Sequence, residues 1–311
     1  MKKSIKMMAL GLAVVPCALM LTACGGDKNI VDIKGDYKPL ETAQYDAAVE
    51  EIDAGFNLEE VSKGLRSVIT INAESNVGML GKVDLSFKNE SILKSNTVDN
   101  VLNVEDIEGY SNVSAKMTIK AQGQSASETM SAKQYIVDGN QYVNLSGAES
   151  MLEMAQLTLP SKFYQVLAKE GVHPVELPDY KISDLLAMVP EGTLSNETVS
   201  LSKSTEETGY KYKVVVDDVA LNQIVNEYLT ETGVKVTFNN DVVFYALFEN
   251  NQFMGAYLDA QATVEVVVPA NYAGMFGEKV SVDLDLNLQV VGYEGNINYP
   301  SDLNNYTLIE A

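Results

Sequence analysis

The chain has 311 residues, 46% apolar and 21% charged, the composition of a folded protein and not of a disordered one. Its 43 acidic residues against 22 basic ones leave a net charge of −21, which disfavours nucleic-acid binding. One His, no Trp and two Cys exclude a zinc cluster and a disulfide framework, and leave little for histidine-based catalysis.

Lys2, Lys3 and Lys6 precede an apolar run from Met7 to Leu21 that Pro16 interrupts. The run is shorter than the ~20 residues a spanning helix needs, and its basic flank is that of a secretory signal peptide over residues 1–23. It ends in Leu21-Thr22-Ala23-Cys24, followed by Gly25-Gly26. This resembles the lipobox of bacterial lipoproteins. The resemblance implies a diacylglyceryl group on the Cys24 thiol and cleavage just before it. It also implies attachment to the extracytoplasmic side of a bacterial cell membrane, at the cell surface or in a periplasm. Cys17 leaves with the peptide, so the mature chain forms no internal disulfide. Removing residues 1–23 takes the net charge from −21 to −24, because three lysines and no acid are lost. Such a surface is repelled by anionic headgroups, so the acyl chains carry the attachment, at roughly 0.8 kcal/mol per buried methylene.

Residues 24–40, with Gly35 and Pro39 as breakers, are expected to form a flexible tether, and residues 41–311 a single β-rich domain. Ala43, Ala47, Ala48 and Ile52 mark a helix within 41–64, interrupted near Gly55. The period then changes to two. Ile69, Ile71, Ala73 and Val77 alternate with polar residues, and Val83, Leu85 and Phe87 follow the Gly81 turn. A weaker strand is predicted around Val98 to Val104, and a strict one from Val113 to Ala121. Asp138-Gly139 joins Gln134–Val137 to Tyr142–Leu145 as a hairpin. Such alternation implies an antiparallel sheet with one face in water.

Residues 148–190 break the pattern and predict three short helices: one to Pro160, one from Phe163 to Leu167, and one from Ile182 to Val189. Strands resume at Val199 and again from Tyr210 to Val216. Leu221, Ile224, Val225, Tyr228 and Leu229 then give a helix capped by Asp217-Asp218. The remainder reads as strands at 234–238, 243–247, 253–268 and 280–290.

This order of elements resembles the LolA-like fold and, within it, the LppX/LprG-like lipoproteins. The resemblance is one of architecture over residues 41–303 and carries no ligand-contacting residue with it. It implies an α+β, mostly antiparallel fold: about eleven strands in a strongly curved half-barrel whose concave face is covered by helices. The cavity so formed would hold an acyl chain or other apolar ligand. Its candidate lining is Met151, Met154, Leu157, Phe163, Leu185 and Met188, with Leu221, Ile224, Val225 and Tyr228 from the later helix. The competing expectation is that these helices complete a dry core, and that the protein is a surface interaction module for a protein or glycan partner.

No constellation points to catalysis, a cofactor or a metal. The lone His173 precedes Pro174 in a Pro-rich turn, and there is no Gly-x-Ser-x-Gly elbow. Asp283-Leu284-Asp285-Leu286-Asn287 has the oxygen spacing of an EF-hand start, but Leu288 stands where the loop needs Gly. The alternation makes these three residues the wet side of a strand. Asp217-Asp218 are better helix caps than cation ligands. The protein is therefore expected to be non-enzymatic.

Overall fold

The computed structural model describes residues 30–57, 60–61, 63–78, 81–95, 101–154, 158–167, 175–176, 198–229, 234–269 and 273–309. The chain begins with strand β1 (Lys38–Pro39), helix α1 (Tyr45–Gly55) and strands β2 (Leu65–Val77), β3 (Gly81–Lys94), β4 (Val101–Leu102), β5 (Glu108–Ala121), β6 (Gln124–Val137) and β7 (Asn140–Gly147). Helix α2 (Glu149–Met154) is followed by β8 (Lys162–Val166), β9 (Val175–Glu176), β10 (Val199–Thr205), β11 (Gly209–Val216) and helix α3 (Asp218–Leu229). Strands β12 (Val234–Phe238), β13 (Val242–Glu249) and β14 (Gln252–Val267), a single-turn helix α4 (Ala273–Phe276), β15 (Lys279–Gly292) and β16 (Thr307–Leu308) complete it.

Fourteen strands form one sheet in the order β1-β10-β11-β13-β14-β15-β2-β3-β5-β6-β7-β8-β16, with β12 also paired to β14. Strands β12 and β13 lie end to end along β14, against residues 262–266 and 252–259 respectively. Every pairing is antiparallel except that of β16 with β8. The long hairpins close through two-residue turns with both residues at positive φ: Gln122-Gly123, Asp138-Gly139 and Asn250-Asn251. That is the backbone twist a tight hairpin requires, and Asn, Asp and Gly adopt it readily.

The sheet is open, neither curled nor closed, and the expected LolA-like half-barrel is not formed. Register supplies the reason. Strands β14, β15, β2, β3, β5 and β6 pair in succession without a single shift; among the described residues the irregularities are at Leu247/Phe248 and Ser131/Lys133, nearer the flanks. Bulges are what curl a sheet, and none interrupts the five pairings that join these strands to one another. The helical cover is missing as well: among the described residues only α1 and α3 exceed two turns. The strand number is also higher than expected, because the short helix expected from Phe163 is β8 and the two-residue strands β1, β9 and β16 are added.

Burial is confined to one end of the long strands. Ser67, Val68 and Ile69 of β2, Asn89 and Ser91 of β3, Tyr135 and Ile136 of β6, Tyr257 of β14 and Gln289 of β15 form a buried band across the sheet. Beyond it, residues 70–77 of β2 and 81–88 of β3 include one buried side chain, Ser75, whose hydroxyl donates to the Ser281 carbonyl at 2.6 Å. The sheet thus projects some eight residues, about 27 Å, past its own core.

Two layers hold the buried end. At one flank Ala48 and Ile52 of α1 pack on Leu201, Tyr210, Tyr212, Ala246 and Phe248. Glu51 reinforces that contact by accepting from Lys203 Nζ (2.6 Å) and from the Tyr212 hydroxyl. At the other flank Tyr110, Tyr135, Tyr142 and Tyr164 form one cross-strand row over β5-β6-β7-β8. The C-terminal tail lays Tyr299 and Tyr306 against that row and is pinned by Lys162–Asp302 at 2.5 Å. From Ile30 onward the stretch expected to be a tether lies on the sheet: Val31 is buried, and the amides of Ile30 and Val31 donate to Gln289 Oε1 at 2.7 and 3.4 Å.

Helix α3 begins where β11 ends and runs beside β12. Asn222 and Asn226, one turn apart, take over the hydrogen bonding of the missing neighbour strand. Asn222 accepts from Phe238 N at 2.6 Å and donates to Phe238 O at 3.1 Å. Asn226 accepts from Val236 N at 3.1 Å and donates to Val236 O at 2.6 Å. Two side-chain amides thereby close a strand edge that would otherwise invite pairing with another chain.

Candidate functional site

Of the residues expected to surround a ligand, Phe163 is set far across the sheet from Leu221 and Val225. Phe163 is buried on β8, in register with Val143 of β7. Leu221 and Val225 are half-buried on α3 beside β12. The sheet order sets β8 and β12 eight strand spacings apart, roughly 38 Å at ~4.8 Å each. Met151 and Met154 belong to α2, and Ile224 and Tyr228 to α3. Cys24, Leu157, His173, Leu185 and Met188 lie outside the described residues. Among the described residues no helix is long and apolar enough to cross a membrane.

What the fold does assemble is an amphipathic sheet. On one face of the projecting half, Ala262, Leu284, Ala73, Leu85 and Met117 form a cross-strand row. Ala260, Leu286, Ile71, Phe87 and Ala115 form the next. Val264, Val282, Val83 and Ile119 continue it toward the tip. From β12 to β5 this face carries no charged side chain; the first is Glu128 on β6. Its hydrophobic cluster, Ile69 with Ile71, Leu286 and Leu288, comes from the sheet itself, and Leu85 keeps 36% exposure.

The opposite face is wholly polar. Thr263, Asp283, Glu74, Asp84 and Thr118 form one row and Gln261, Asp285, Asn72, Ser86 and Lys116 the next. All of them but Thr263, together with Asn239, line a trough of about 430 Å³. Their side chains bind one another: Thr263 donates to Asp283 at 2.7 Å, Ser86 to Asn72 at 2.9 Å, and Lys82 bridges Glu74 and Asp84. The hydrogen bond from Lys120 holds the Asp84 carboxyl below its ordinary range, and burial, then the nearby Asp285, pushes Asp259 above it. Asp283 thus has a donor in Thr263, and Asn287 has one in Gln289 Nε2 at 2.9 Å.

Asp217, Asp218 and Asp241 bring carboxylates within 4.8 Å of one another at the start of α3. Asp217 accepts from Ala220 N at 3.0 Å and Asp241 from Asp218 N at 3.3 Å, so they act as caps. At the buried end, Lys63, Leu65, Lys94, Phe253, Met254 and Tyr293 border an open recess of about 680 Å³ between the end of α1 and the β13–β14 turn. Its apolar and charged walls are mixed, and they converge on no single chemistry.

No protein-family model matches the chain, and no curated protein does. Among solved structures, DynF from the dynemicin biosynthesis pathway of Micromonospora chersina aligns over 88% of this chain and 92% of its own, at 10% identity and a TM-score of 0.17. A likeness that weak carries no argument about fold or function.

Proposed function

We propose that this chain is a lipid-anchored, non-enzymatic protein of the extracytoplasmic face of a bacterial membrane, and that it works as an interaction module through the apolar face of its projecting sheet. The observation that carries this reading is the segregation of charge: one face of the projecting half is ion-paired and wet, the other free of charge from β12 to β5. Contiguous apolar surface of that kind marks an interaction site. The lipobox supplies the address. Cys24 stands six residues before Ile30, where the chain is already tied to Gln289. Six residues reach at most about 20 Å, so the buried end of the sheet would sit against the bilayer and the projecting end would point away.

Cell fractionation and native mass spectrometry test the two halves of the proposal. Cys24→Ala is expected to move the protein out of the detergent-requiring membrane fraction; retention there would overturn the anchor. The intact protein released from detergent is expected to carry no lipid beyond its own acyl chains. A co-purifying lipid would overturn the interaction reading in favour of apolar-ligand carriage.

A further inference from the structure

We infer that the apolar face of the projecting half-sheet is the contact between two copies of this chain, packed sheet on sheet. The inference rests on the interaction-module reading and names its partner.

Charge selects the surface. At the mature chain's net charge of −24, two copies repel over most of their area. The apolar face from β12 to β5 is a broad region where they can meet without bringing carboxylates together. The sheet's edges are closed to the alternative of strand-to-strand pairing. Asn222 and Asn226 occupy the polar groups of β12 at Val236 and Phe238. The terminal strands β1 and β16 are two residues each, and β1 includes Pro39. Association is left to the face.

The area suffices. Six strand widths, β12/β13 through β5, span about 29 Å at ~4.8 Å per strand, and eight residues rise about 27 Å. That gives nearly 800 Å² per copy and close to 1,600 Å² in total, the size of a standard stable interface. Packing also sets the orientation. Helix α1 stands on the same face at the buried end, so only the projecting halves can close to the ~10 Å of packed sheets. Two copies must overlap tip over tip, their strands antiparallel, about a two-fold axis perpendicular to the strands. In that isologous arrangement the row through Leu284, Ala73 and Leu85 lies near mid-height, and each residue faces its own counterpart.

The mature chain retains one cysteine, Cys24, so an introduced cysteine reports cleanly on self-contact. Leu85→Cys on the apolar face and Ser86→Cys on the polar face are to be made in the full chain and treated in intact membranes with a short bis-maleimide. The expected result is a covalent dimer for Leu85→Cys, none for Ser86→Cys, and loss of the dimer when Leu284→Lys is added. Ala73→Glu replaces Leu284→Lys should the latter fail to give a cooperative melt. Equal cross-linking on both faces, or cross-linking that survives the charge, overturns the inference. A monomer in native mass spectra that carries no bound lipid overturns the dimer alone; a monomer with bound lipid overturns the interaction reading with it.

Discussion

The amides of Asn222 and Asn226 offer the sharpest test of how this sheet protects itself. Each makes two hydrogen bonds to the backbone of β12, at 2.6 to 3.1 Å. A hydrogen bond contributes about 1 kcal/mol net, so truncating one Asn removes about 2 kcal/mol. Ala gains about 0.5 kcal/mol of helix propensity over Asn in α3, which leaves a net loss of about 1.5 kcal/mol for Asn226→Ala and about 3 kcal/mol for the double variant. For a domain of this size 1 kcal/mol corresponds to about 2–4 °C, so the melting temperature should fall by about 3–6 °C and 6–12 °C. The control is Gln223→Ala on the exposed side of the same helix, where the lost partner is only Glu227 at 3.2 Å. The assay is thermal denaturation by circular dichroism, with light scattering over a concentration series. The double variant should also scatter more as concentration rises, because the freed N–H and C=O groups of β12 become a template for another strand. A double variant that melts within a degree of the Gln223→Ala control, with unchanged scattering, would refute the edge-closure argument.

Other substitutions probe the buried end. Gly64→Ala would place a methyl 1.9 Å from the Tyr293 carbonyl oxygen, whereas at Gly292 nothing lies within 4 Å. The first should cost about 2–3 kcal/mol and the second under about 0.5 in parallel melts. The buried Tyr210 hydroxyl has no partner, while that of Tyr212 donates to Glu51. Tyr210→Phe should be neutral or slightly stabilising, and Tyr212→Phe should cost about 1–2 kcal/mol in denaturant unfolding. Lys162 holds the Asp302 carboxyl below its usual range. The native state therefore binds fewer protons there than the unfolded state, and the pinning of the tail is present above roughly pH 4 and lost as pH falls through the lowered value. Hydrogen exchange of residues 303–309 should accelerate under acid in the parent protein and already at neutral pH in Lys162→Met.

Much of the local structure is legible in the residues. The alternation of Val280, Val282, Leu284 and Leu286 with Ser281, Asp283 and Asp285 specifies a strand with one wet side, and that is how β15 sits. The spacing from Leu221 to Leu229 specifies α3, and Asp138-Gly139 specifies the β6–β7 turn. The segregation of charge onto one face follows from the same alternation once the strands pair in register. Each of these depends on residues within one or two turns of each other, so a local pattern suffices.

What the residues do not disclose is everything set by partners distant in the chain. Phe163 to Leu167 is apolar enough for a helix, but the strand exists because β7 offers Val143 and Tyr142 as partners. Val31 is buried because Gln289, more than 250 residues away, accepts from its amide. Asn222 and Asn226 look like ordinary polar residues on the wet side of an amphipathic helix until β12 is laid beside them. Curvature is the largest such term. Alternating strands support a half-barrel and an open sheet equally well, because period two fixes which side of a strand is apolar and is silent about how neighbouring strands slide or bulge. In this protein the central strands pair without a shift, and so an apolar face expected to close around a ligand is held open across the sheet.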